Sequence, residues 1–311
     1  MSEDYPRALM ELEKRFATDQ ACAEYLAALR WPKGWICPRC GSPEVWVVRR
    51  HRWRCRRCRY ETSVTAGTVF QDSHVPLRVW FRAMWHMTSQ KTGVSALGLQ
   101  GTLGLGSYKT AWAMLHKLRR AMVRPGRDRL QGVVEVDETY WGGEEEGVIG
   151  RLTEDKALLI IAAQEDGAGI GRIRMSRIPD LTKASLHGFI AQSVEPGSTV
   201  RTDGLNAYLG LEGYVHDRQV QRSQAVGEHL LPRVHRVVSL LKRWLLGTHQ
   251  GAIGQEHLDD YLNEFTFRFN RRTSASRGKL FYRLVQHAVQ VGPAPFKTLT
   301  KPLRVGLGGV K

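Results

Sequence analysis

The chain has 311 residues, 42% of them hydrophobic, and a net charge of +16. That length suits roughly two or three domains with a sizeable core, and the composition excludes a disordered polyelectrolyte. No apolar run reaches the length of a membrane span, and the opening MSEDYPRALMELEKRF is polar and amphipathic rather than a secretory signal. A cytoplasmic, nucleoid-associated protein is therefore expected. The charge is uneven: residues 1–130 carry a net +13, residues 131–214 a net −7 and residues 215–311 a net +10. Basic flanks attract a polyanion and hold it by releasing its counterions. An acidic centre repels that polyanion unless cations fill it.

Residues 5–30 carry Leu9, Leu12 and Phe16 at helical spacing, then a second helix capped by Thr18 or Asp19. Cys22 stands alone on its apolar face and reads as a small buried hydrophobe. CPRC and CRRC then place Cys37, Cys40, Cys55 and Cys58 in two knuckles separated by 14 residues. Two thiolates on a tight turn grip one edge of a tetrahedral zinc, and a second pair completes it. Disulfides or a redox dithiol are the competing readings. Disulfides fit an exported chain, and a redox motif usually occurs once. VWVVRRHRWRC alternates enough to form a hairpin between the knuckles. Residues 49–59 hold seven arginines and no acid, and Arg49, Arg50, Arg52, Arg54, Arg56 and Arg57 read as phosphate contacts.

Residues 75–123 read as helical. Trp80, Phe81, Met84 and Trp85 share one face and belong to a core. A short helix, a glycine-containing turn and a second helix starting near Ser107 suit a helix-turn-helix. Lys109, Lys117 and Arg119 are its expected DNA contacts. An ordinary helical hairpin is the alternative. After a linker at 125–129 the periodicity changes. Strands are expected over 133–141, 157–166, 169–178, 198–202 and 213–221, with helices over 181–194 and 233–249. That order gives a mixed α/β sheet. Asp137 lies in the first of these strands, inside the hydrophobic alternation of Val134 and Val136. Asp203 lies at the end of the fourth. Carboxylates from neighbouring strands repel unless a divalent cation bridges them, and oxygen-rich sites suit Mg²⁺ or Mn²⁺.

VEVDETYWGG, RTDGLNAY, LPRVHRVVSLLKRWLLGTHQG and YLNEFTFRFNRR resemble successive blocks of a bacterial insertion-sequence transposase family. That family joins a zinc ribbon and a helix-turn-helix to a DDE-type nuclease domain of RNase-H-like fold. The resemblance implies N-terminal helices (1–30), a zinc ribbon (31–72), a helix-turn-helix region (73–126), a catalytic domain (130–290) and a loosely ordered tail (291–311). It makes Asp137 and Asp203 the first two metal-binding acids and Lys242 the family's lysine. The third acidic position falls on His235, with Glu228 and Glu264 as alternatives. Seven residues separate His235 from Lys242, so the two share a helical face. The histidine could ligate the second ion, hold a water or act as a base. Arg268, Arg271 and Arg272 are expected to grip phosphate, and Phe265, Phe267 and Phe269 to pack. The implied activity is metal-dependent cleavage and strand transfer of DNA by a dimer or larger assembly. A nuclease that cuts without joining and a catalytically inert DNA-binding regulator are the rival readings.

Overall fold

The computed structural model describes residues 3–48, 52–124, 126–142, 156–220 and 230–300. They form two compact units, one made of the chain up to 124 together with 273–300, the other of 126–272. Among the described residues no helix is long and apolar enough to cross a membrane.

The first unit opens with α1 (Leu9–Arg15) and α2 (Asp19–Arg30). Thr18 caps α2, its hydroxyl accepting the Ala21 N–H at 3.2 Å. Cys22 is fully buried, and burial pushes its thiol up to about 12, which suits the expected inert hydrophobe. Then β1 (Val45–Val48), β2 (Arg52–Cys55) and β3 (Glu61–Ser63) form an antiparallel sheet in that order. Helices α3 (Leu77–Ser89), α4 (Ala96–Leu103) and α5 (Tyr108–Ala121) follow. Trp80, Phe81, Met84 and Trp85 are buried on α3 as their spacing requires. Gly104 ends α4 at φ +63°, a conformation glycine adopts without strain. Ser107 occupies the cap position of α5, but its backbone carbonyl rather than its hydroxyl serves Thr110 and Ala111.

The second unit holds β4 (Val133–Trp141), β5 (Ala157–Asp166), β6 (Gly169–Arg177), α6 (Lys183–Ser193), β7 (Thr199–Thr202), β8 (Val215–Arg218), α7 (Pro232–His249) and α8 (Leu258–Phe269). The sheet order is β6-β5-β4-β7-β8. The pairs β4–β5 and β5–β6 are antiparallel, whereas β4–β7 and β7–β8 are parallel. This is an RNase-H-like mixed sheet. Val134, Val136, Ile160 and Ala162 pack on Leu186 and Ile190 of α6. On the other face Leu159, Ile161 and Ile173 pack on Val234, Val237 and Leu241 of α7 and Phe265 and Phe269 of α8. With both faces covered, β5 reads as a nearly continuous apolar run.

The FRFNRR motif fastens α8 to the edge strand. The Asn270 amide accepts the Ile173 N–H at 2.7 Å and donates to the Ile173 carbonyl at 3.1 Å. Arg272 lies 4.0 Å over the Phe269 ring and donates to the carbonyls of Gly171, Phe269 and Ile170. Arg271 lies 4.0 Å over Phe267. Phe265, Phe267 and Phe269 are buried, as expected.

The chain then returns to the first unit through α9 (Arg277–Ala288) and α10 (Phe296–Leu299). Phe281 lies 5.7 Å from Phe81 and 5.9 Å from Trp85, inside the aromatic core. A Cβ on Gly278 would fall 1.7 Å from the Pro6 carbonyl oxygen, so only glycine allows that approach. The second compact unit ends at Arg272, and the described residues from 273 onward cluster with the first. The segment expected as a loose tail from 291 carries α10, with Leu299 buried. The spacing of 277–288 shows that it is a helix but not which core it joins.

Candidate metal centres and catalytic site

The first cluster is sulfur. Gly41 follows the first knuckle at φ +71°, and Arg59 closes the second at φ +63°. These turns bring the Cys37 and Cys58 sulfurs to 3.6 Å and those of Cys40 and Cys55 to 3.5 Å. All four lie within 4.8 Å of one another. Zinc–sulfur bonds of about 2.3 Å set tetrahedral thiolates about 3.8 Å apart, so the set fits zinc. None of the five cysteines forms a disulfide. The Cys58 backbone N–H aims at the Cys55 sulfur at 3.5 Å.

The arginines around the ribbon divide. Arg52 and Arg54 pair with Glu61 across β2–β3, and Arg56 lies over the Trp46 ring at 5.6 Å. Arg57 is exposed, and Arg49 and Arg50 lie outside the described residues. Lys109 and Lys117 line one cavity of about 390 Å³ with Thr110, Trp80 and Phe296, and burial lowers the Lys117 pKa. Arg119 does not face solvent as expected. It is 1% exposed, with its guanidinium 3.4 Å from the His116 ring. The periodicity of α5 turns position 119 inward with Leu115 and Leu118.

The second cluster is oxygen. Parallel pairing of β4 with β7 carries Glu135 opposite Arg201. Continued by two residues, that register sets Asp137 level with Asp203, just beyond the end of β7. The Asp203 carboxylate accepts the Leu205 N–H at 3.0 Å, which fixes the loop it starts. Oxygens of Asp137, Asp203 and Glu138 lie within 4.8 Å of one another. Hard oxygen donors at this spacing fit a divalent cation. Glu138 was not legible as a site residue, because alternation assigns it to the opposite face of β4 from Asp137. Its Oε2 accepts the Tyr208 hydroxyl at 3.0 Å. Tyr208 is fully buried, and burial together with the Glu138 charge pushes its pKa far up, so it remains a donor.

His235 stands near the start of α7, its Nε2 3.8 Å from Asp137 Oδ2, with 46% of its side chain exposed. Lys242 is half-buried on the same helical face, two turns on. Glu264 is fully buried on α8, 4.0 Å from Arg268, and does not belong to the carboxylate cluster. Glu228 lies outside the described residues.

A buried ion pair sets the register of α7 against β4. Leu231, the cap residue of α7, offers no side-chain oxygen. Glu135, fully buried, takes that role from the sheet. Its Oε2 accepts the N–H groups of Arg233 and Val234 at 2.7 and 3.0 Å, and its Oε1 accepts Arg233 Nη1 at 3.0 Å. Arg233 also pairs with Glu165 at 2.9 Å and donates to the Gly167 and Gly169 carbonyls. Glu135 lies two residues before Asp137, and Arg233 two before His235. The lock therefore sits one step from Asp137 along the same face of β4, and in the first turn of α7 just before His235. Sequence reading passed over it, since a buried Glu and a helix-start Arg nearly a hundred positions apart carry no spacing signal.

Residues 129–270 match the ISXO2-like transposase domain family, and residues 17–61 match the transposase zinc-ribbon domain family. An uncharacterized protein in transposable element ISH50 of Halobacterium salinarum is 29% identical over 282 residues, which cover 82% of this chain and 92% of that one. Among solved structures, the simian T-cell lymphotropic virus intasome in complex with PP2A regulatory subunit B56 gamma is 15% identical and covers 68% of this chain and 79% of that chain. Its TM-score is 0.28.

Proposed function

We propose that this chain, which matches insertion-sequence transposase domain families over residues 17–61 and 129–270, is a DNA transposase in which Asp137 and Asp203 hold the catalytic metal, His235 moves the proton and Lys242 contacts the phosphate. The observation that carries this reading is the meeting of two aspartates 66 positions apart, with the His235 imidazole beside one of them. Divalent ions, Mg²⁺ or Mn²⁺, would supply the polarisation of the attacking oxygen and the stabilisation of the departing one. His235 accepts the proton of the attacking water, and Asp137 at 3.8 Å favours the resulting imidazolium. The bond from phosphorus to the 3′-oxygen breaks, that oxygen takes a proton from solvent and leaves as a 3′-hydroxyl, and His235 returns its own proton to solvent. In the joining step the 3′-hydroxyl attacks a target phosphodiester, gives its proton to His235, and displaces the target's own 3′-oxygen, which takes a proton from solvent. One phosphodiester replaces another, so no high-energy cofactor is needed. Lys242 acts as a point charge toward the transferring phosphate.

The ribbon and the α4–α5 pair bind terminal inverted repeats through Arg52, Arg54, Arg56, Arg57, Lys109 and Lys117, with Arg271 adding charge near the second unit's end. Arg49 and Arg50 extend the ribbon's set. Two copies act on paired ends. The test is cleavage of end-bearing DNA, followed by joining of pre-cut ends to target. Asp137→Asn and Asp203→Asn should each lower cleavage about a thousandfold, equivalent to about 4 kcal/mol of barrier. Full cleavage by either variant would overturn the assignment. Cutting without joining would make the chain a nuclease only.

A further inference from the structure

Glu138 is the one member of the carboxylate cluster without a role. Strand alternation assigns it to the face that Val134 and Val136 share with α6, where an ionised side chain would meet an apolar layer. Its carboxylate instead comes within 4.8 Å of the Asp137 and Asp203 oxygens. The sheet explains how. β7 stops at Thr202, so the stretch of β4 from Asp137 onward runs past its parallel neighbour, and the longer glutamate side chain can turn around that strand end. Tyr208, five residues after Asp203 on the same loop, donates to Glu138 Oε2 at 3.0 Å. The loop that carries one metal-binding aspartate thus also aims the glutamate.

The charge count favours a third carboxylate. Two divalent cations bridged by a phosphodiester are balanced by three carboxylates and left in excess by two. The helix position that would supply the third is His235, and a neutral imidazole is a weaker partner for Mg²⁺ than a carboxylate. We propose that Glu138 is the third carboxylate of the divalent-metal site, oriented by Tyr208, which leaves His235 for proton transfer. This rests on the reading of Asp137 and Asp203 as metal-holding residues.

Mn²⁺ binding to the full chain, measured by calorimetry without DNA, tests the proposal. Glu138→Gln keeps the size and an acceptor for Tyr208 and removes the charge. It should bind Mn²⁺ about a hundredfold more weakly, and Tyr208→Phe about tenfold more weakly. The metal-free melting curve of Glu138→Gln should match that of the parent. Wild-type Mn²⁺ affinity in Glu138→Gln, with affinity lost in Asp137→Asn, would overturn the role of Glu138 alone. Wild-type affinity in both variants would overturn the underlying metal site as well. If Glu138→Gln does not fold, Glu138→Asp retains the charge and withdraws it by one methylene. Weakened Mn²⁺ binding in that variant supports the proposal, and unchanged binding overturns it.

Discussion

The sulfur cluster and the oxygen cluster are both metal-shaped, yet they are built in opposite ways. Cys37 to Cys58 span 22 residues, and each pair sits on its own turn. Asp137, Asp203 and His235 span 99 residues and meet only after a parallel strand pair and a helix have been placed. A small sheet of three short strands cannot bury enough surface to hold itself, so the ribbon depends on its metal. The second unit has a two-faced sheet core and positions its carboxylates before any cation arrives. In one region the ion makes the fold, whereas in the other the fold makes the ion site.

The largest effect that could break this contrast comes from zinc removal. Structural zinc contributes about 10–16 kcal/mol to a small zinc domain. Cys55→Ser, or chelation, should unfold the ribbon and abolish binding to terminal DNA, while Mn²⁺ affinity at the carboxylates stays within about twofold. Circular dichroism with calorimetry checks both. Loss of Mn²⁺ binding together with zinc would show that the two regions are not independent.

The next effect sharpens the claim that the second unit is prearranged. Glu135→Ala leaves the Arg233 guanidinium beside Glu165 but removes the buried cap of α7. Breaking a buried pair in this way costs about 3–5 kcal/mol, which a denaturant melt would read directly. A loss under about 1 kcal/mol would show that α7 is docked by its apolar face alone.

The smallest effect is a pH dependence. Burial lowers the pKa of His216 and of His187 from 6.5, and nearby Arg218 and Lys183 add to it. The folded unit resists protons that the unfolded chain accepts. Stability is therefore fully present above about pH 6.5 and falls as pH drops through that value toward the lowered folded values. His216→Gln should flatten part of that slope in denaturant melts between pH 7.5 and 5.5. A stability that rises over this range would contradict the sign.

Legibility follows the same division. The zinc ligands could be read from spacing, since a C-x-x-C turn is local chemistry. The strands were readable where apolar residues run or alternate, as in ALLIIAAQED. Asp137 stood out because it interrupts such a strand. Glu138 and Glu135 did not, because their partners, Tyr208 and Arg233, lie 70 and 98 positions away and only the sheet register brings them near. Arg119 was expected to contact DNA from the helix-turn-helix, and Arg272 to grip phosphate. In the structure, one turns inward with α5 and the other bonds backbone carbonyls at the edge of β6. A cation's sign says what it can bind, but its helix phase decides what it meets.

Crystals of the full chain grown with Mn²⁺ give the most direct measurement, because anomalous scattering locates manganese without reference to activity. The account predicts density ligated by oxygens of both Asp137 and Asp203, with the Glu138 carboxylate in the same shell. Manganese bound elsewhere, with those two aspartates left unligated, would contradict it.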